Sequence, residues 1–103
     1  RSPQWGHMLV VVTYDENGGI WDHVAPPKGD RWGPGTRIPA IIVSPYAKHG
    51  YVDHTLYDTN SILRFIIHRF DLPNLEGIKT RDAAMAARGQ EPLGDLSGSL
   101  NLI

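Results

Sequence analysis

Two neighbouring carboxylates, Asp15 and Glu16, follow the apolar run Met8–Tyr14 (MLVVVTY) and open a polar turn, Asp15-Glu16-Asn17-Gly18-Gly19. Adjacent carboxylates repel each other and are costly to desolvate, and a divalent cation relieves both problems by supplying positive charge and accepting oxygen lone pairs. Gly18 and Gly19 permit positive φ, so both acids could converge at the end of the strand. The same residues also read as an acidic turn, since Asp-x-Asn-Gly is ordinary turn chemistry. His23 lies eight residues after Asp15, and His54 precedes the strongest helical segment. Imidazole suits metal ligation or general acid chemistry, and a solvated loop histidine is the plainer alternative. His7, His49 and His68 are read as non-catalytic. Trp21, Trp32, Tyr46 and Tyr57 could wall a pocket or plug a core. Lys28, Arg31 and Arg37 could meet an anionic substrate or simply face water.

The elements that would position these groups follow from the apolar pattern. Met8–Tyr14 suits a strand covered on both faces, as in a parallel sheet. Residues 25–37 hold three Pro and three Gly and form an irregular loop. A second strand is expected over Ile38–Ser44, with Pro39 at its start or edge because proline lacks an N–H. Asp58–Phe70 is a helix capped by Asp58 or Thr59, with Ile62, Phe65, Ile66 and Arg69 on one face and Leu63, Ile67 and Phe70 widening it. Asp71-Leu72-Pro73 ends it. An Ala-rich helix is expected over Lys79–Arg88, stopped by Gly89. Residues 90–103 read as an extended tail. The order fits part of an α/β sheet with crossover helices, and ligands of open α/β sheets bind beyond the carboxyl ends of the strands, where Asp15 and Glu16 stand.

The 103 residues suit one domain or a piece of one. With 10 Lys+Arg against 11 Asp+Glu, no clustered basic surface argues for nucleic acid or an anionic membrane. No cysteine is present, which excludes disulfides, thiolate ligands and a cysteine nucleophile. The longest apolar runs are far short of the ~20 residues of a transmembrane helix. No glycine-rich phosphate loop, GxSxG elbow or HExxH helix occurs.

Three ordered segments then resemble a known family: TYDENGGIWDHV (13–24), GPGTRIPAIIVSPYA (33–47) and GYVDHTLYDTNSILRFI (50–66). Together they are similar to the bacterial phosphoesterases that contain acid phosphatases and phospholipases C, within the alkaline phosphatase superfamily, and the likeness runs over about residues 8–100. Within that family the chain looks closer to the acid phosphatase branch. The resemblance implies an alkaline-phosphatase-like, mostly parallel sheet with flanking helices. It implies a divalent metal cofactor (Ca, Mg or Mn for an all-oxygen site, Zn where histidine joins) and a phosphate ester substrate hydrolysed through a phospho-enzyme. Asp15 and Glu16 match the family's metal pair, and Asn17 the turn that follows, with substrate contact implied for it. His23 matches the WDHV element, with a role at the substrate or beside the metal. His54 falls in a DHT element whose histidine ligates metal in other superfamily members, so metal or substrate contact is implied for it.

The family's nucleophile and its Glu-Asn metal pair match nothing here. The chain therefore reads as a truncated C-terminal portion of one catalytic domain, with the rest of that domain as its natural partner, and as inactive alone. The resemblance further implies a periplasmic or secreted parent. Two other readings stand beside it: a self-associating fragment forming a homo-oligomer through open sheet edges, and an anion-binding module using Arg31 and Arg37.

Overall fold

The computed structural model describes residues 2–102. A short 3-10 turn at Trp5–His7 leads into strand β1, Val10–Thr13. Strand β2, Ala40–Val43, pairs with it antiparallel, with Val10 opposite Val43 and Thr13 opposite Ala40. Among the described residues this two-stranded pair is the sheet. The expectation of a mostly parallel sheet is therefore corrected. A parallel return needs a crossover, usually a helix, and residues 14–39 hold no helix, so the chain turns back beside itself. Nor are the strands covered on both faces within this chain: Val12 is 53% and Ile41 60% exposed. Both strands lie inside the expected runs but are shorter. Pro39 stands just before β2, as its missing N–H requires, and its carbonyl accepts a hydrogen bond from Thr13 Oγ1 at 2.8 Å.

Helix α1, Thr59–Phe70, begins where the capping argument puts it. Asp58 Oδ1 accepts the Asn60 N–H at 2.8 Å, and the Oγ of the fully buried Ser61 accepts the Asp58 N–H at 3.1 Å. Asp71 takes a left-handed conformation (φ 51°), the Leu72 N–H closes onto the Ile67 carbonyl at 2.9 Å, and Pro73 follows. Ile62, Arg64, Phe65 and Ile67 are half-buried, whereas Ile66, expected on the covered face, is exposed with Leu63 and Phe70.

Helix α2 spans Glu76–Ala86, three residues ahead of the expected start. Glu76 in its first turn faces the positive end of the helix dipole and holds Lys79 Nζ at 2.6 Å, so the helix gains a favourable N-terminus there. Gly89 (φ 70°) stops it.

Residues 90–102 are not the extended tail that the Gly and Ser content of 90–103 suggests. Leu93, Leu96 and Leu100 are buried and join Ile78 and Met85 of α2 in the small core. The Gly94 N–H bonds the Leu56 carbonyl at 3.1 Å, and Ala47 and Leu100 form an isolated antiparallel bridge. Ile103 lies outside the described residues. The radius of gyration, 14.9 Å, exceeds the ~13 Å of a close-packed chain of this length, in keeping with the exposed strands. Among the described residues no helix is long and apolar enough to cross a membrane.

Candidate functional site

β1 ends at Thr13, and the chain leaves its carboxyl end through Tyr14 into the acidic turn. Asp15 and Glu16 are both exposed. Asp15 Oδ1 accepts the Glu16 N–H at 3.0 Å, which ties its carboxylate to the backbone of the next residue. Among the described residues neither acid is within ion-pair distance of a Lys, Arg or His side chain. Gly18 and Gly19 take φ of 63° and 76°, the left-handed region that the turn requires of them. Asn17 Oδ1 accepts the Gly19 N–H at 2.9 Å, and Asn17 Nδ2 donates to Thr36 Oγ1. Asn17 is thus a structural staple of the turn.

Asp22 and Arg37, one on either arm of the long connection, form the strongest ion pair near this turn. Arg37 Nε donates to Asp22 Oδ2 at 2.7 Å and Nη2 to Oδ1 at 3.0 Å, and the Val24 N–H also reaches Oδ1 at 2.9 Å. The Arg37 guanidinium, aided by that backbone bond, holds the Asp22 carboxyl far below the usual carboxylate range. His23 is largely exposed, with Nδ1 3.7 Å from Asp22 Oδ1. Sequence reasoning set Arg37 between anion contact and open solvent; the structure commits it to Asp22 instead. The available signal was opposite charge at the two mouths of one loop. Arg31 lies 4.3 Å over the Trp32 ring.

His54 is exposed in the stretch between β2 and α1. Its neighbour Asp53 is already engaged: Tyr57 Oη donates to Asp53 Oδ2 at 2.6 Å and the Thr55 N–H to Oδ1 at 2.9 Å. Burial and the bond to Asp53 push the Tyr57 hydroxyl up to about 12, so it remains a donor at all ordinary pH. Trp21 and Trp32 are 82% and 78% exposed. A cleft of about 360 Å³ opens between Pro27, Pro34, Leu56, Met85 and Leu93, and another of about 390 Å³ beside Arg64, Asn74 and Asp95; Trp21, Trp32, Asp15, Glu16 and His23 line neither. His7 and His49 are exposed, and His68 Nδ1 lies 3.4 Å from Asp95.

For a metal, the chain offers two exposed hard-oxygen carboxylates side by side at a strand end. They fit part of the shell of a cation such as Ca²⁺, which takes about six to eight oxygens. Among the described residues no three His, Asp or Glu side chains gather into a ligand group, so His54 is not brought to the acidic pair as a third ligand.

A family profile described as phosphoesterase family matches residues 1–73. The chain belongs to the phosphoesterase family. Phospholipase C B of Mycobacterium tuberculosis (strain CDC 1551 / Oshkosh) is 30% identical over 121 residues, covering 94% of this chain and 22% of the relative. Non-hemolytic phospholipase C of Pseudomonas aeruginosa is 31% identical over 69% of this chain and 15% of its own length. Non-specific phospholipase C6 of Arabidopsis thaliana is 41% identical over 50% of this chain and 13% of its own length. The chain thus spans about a fifth or less of these relatives. No solved structure matches it. The relatives are phospholipases C, which favours that branch over the acid phosphatase branch expected from the motifs.

Proposed function

We propose that this chain supplies the acidic metal-binding turn of a phosphoester hydrolase of the phospholipase C type. The observation that carries the reading is the placement of Asp15 and Glu16: adjacent, exposed, without a cationic partner among the described residues, at the carboxyl end of β1 in a phosphoesterase-family chain. Two neighbouring carboxylates repel each other, and a divalent cation bound between them removes that repulsion and accepts their oxygen lone pairs. A bound divalent ion would supply charge against the phosphoryl oxygens. The chain's own residues hold it: Asp15 and Glu16 as oxygen donors, with Asn17 fixing the turn. His23, exposed beside Asp22, would be the group to contact the phosphoryl group or its leaving oxygen.

The phospholipase names of the relatives support a phosphodiester substrate; the acid phosphatase alternative would take a monoester. The test is Asp15→Asn with Glu16→Gln in the full-length natural protein. Turnover of p-nitrophenylphosphorylcholine (a diester) and p-nitrophenyl phosphate (a monoester) is followed against added Mn²⁺ or Ca²⁺. Loss of cation-dependent turnover by at least about 100-fold, with diester preferred in the parent, is the expected result. Unchanged turnover in the double variant rejects the site, and preference for the monoester returns the phosphatase reading.

A further inference from the structure

Within the acidic turn the Ile20 N–H bonds the Asn17 carbonyl at 3.1 Å, and the Asp15 and Asn17 side chains accept the Glu16 and Gly19 N–H groups; these bonds are all local. Residues 14–16 and 18–21 are exposed, two consecutive glycines sit at positive φ, and the two like charges of Asp15 and Glu16 push the segment apart. Two side-chain cross-links oppose this. Asn17 is held by Thr36, and Asp22 by Arg37, so both ends of the six-residue span 17–22 are pinned by two consecutive residues of the approach to β2. The Asn17–Thr36 link continues the β1–β2 register, four places beyond Thr13 and Ala40. The Asp22–Arg37 link does not: it is carried wholly by the two-pronged guanidinium contact, with the Asp22 side chain 14% and the Arg37 side chain 61% exposed. The charged arginine therefore lies outermost, covering the carboxylate it grips.

We infer that Arg37 is a positioning residue: its clamp on Asp22 holds the turn from residue 15 to residue 23 in the conformation that presents Asp15 and Glu16 to a cation. This rests on the reading of that pair proposed above. A pre-ordered turn spares the ion the cost of ordering a glycine-rich segment on binding, so the clamp acts on cation affinity. Geometry makes the demand specific to arginine. Nε and Nη2 meet the two oxygens of one carboxylate in a planar fork, and a lysine ammonium, a point charge, reaches one at best.

The test compares R37A, R37K, D22N and the D15N/E16Q double variant in the full-length natural protein, stripped of metal. Mn²⁺ binding is measured by calorimetry, and amide hydrogen exchange over residues 15–24 is followed without metal. Turnover of p-nitrophenylphosphorylcholine is measured across Mn²⁺ concentrations. R37A and D22N are expected to weaken Mn²⁺ binding by about 10–100-fold, the usual effect of removing a group that orients ligands, and to speed exchange in the turn. Saturating Mn²⁺ restores their kcat, which a general loss of structure does not allow. R37K recovers only part of the affinity.

Parental Mn²⁺ affinity and exchange in R37A and D22N overturn the proposal. So does a raised KM for the diester at unchanged Mn²⁺ affinity, which makes Arg37 a substrate contact. If R37A does not accumulate folded, D22N, nearly equal in volume to the parent, decides alone. Parental Mn²⁺ binding in D15N/E16Q brings down the cation reading, and the proposal with it. Abolished binding there beside parental binding in R37A brings down the clamp alone.

Discussion

Asn17 donates a hydrogen bond to Thr36 across the mouth of the long connection, four places past the last paired residues of the sheet, Thr13 and Ala40. The ladder ends, but its register continues through side chains, and the acidic turn is tied to the approach to β2. Thr36→Val removes the hydroxyl and leaves the half-buried Asn17 amide short of a partner. We expect a loss of about 1 kcal/mol in chemical denaturation, and near-parental stability for Thr36→Ser.

Asp58 serves two partners at once. It caps α1 through the Asn60 N–H and receives Arg81 of α2, which also bonds Asp30 Oδ2 at 3.1 Å. Asp58→Ala loses both the cap and the ion pair and should cost about 2 kcal/mol. Asp58→Asn keeps a capping oxygen and should cost about half as much, since Asn caps as well as Asp. Urea unfolding of the two variants checks the difference.

Gly94 lies where no side chain fits. A Cβ there would stand 2.5 Å from Tyr57 Cε1 and 2.8 Å from Thr55 Cγ2. Gly94→Ala must displace the Tyr57 ring or the backbone after Leu93, at a cost of about 1–3 kcal/mol by unfolding. The stretch would loosen with it, seen as faster exchange of the Gly94 amide that bonds the Leu56 carbonyl.

Acid should open the loops before it melts the helices. The Asp22 carboxyl is lowered chiefly by Arg37, and that of Asp30 by the Trp32 N–H and then Arg81. Carboxyls with depressed native values contribute stability that is complete above the unfolded value of ~3.9 and is lost as pH falls through the native values. Trp21 and Trp32 sit beside these two acids. Their fluorescence should therefore change as pH falls below about pH 4, and Asp30→Asn should remove the part reported by Trp32.

Much of the framework was legible in the chain. The β-branched runs around Val10–Thr13 and Ala40–Val43 mark strands by composition, and Asp58 with Ser61 marks the start of α1, because these signals act within a few residues of one another. The start of α2 is poorly marked in the sequence because its Ala-rich run carries almost no apolar periodicity. The closing segment looks like a tail because Gly and Ser surround the leucines at 93, 96 and 100, whose burial depends on contacts with distant chain such as Leu56. The acidic pair was visible as a candidate site; the pairing of Asp22 with Arg37, fifteen positions away across irregular chain, was not.

The amino-acid order by itself determined where strands and helices form, where α1 starts and stops, and that two acids follow the first strand, since each of these is set by neighbours a turn or a strand apart. The direction in which β2 returns, the covering of the core by the last leucines and the cross-links that pin the acidic turn were decided only by tertiary structure. Each depends on the path of a connection with no regular hydrogen bonding, and such a path is chosen by the contacts made at its far end.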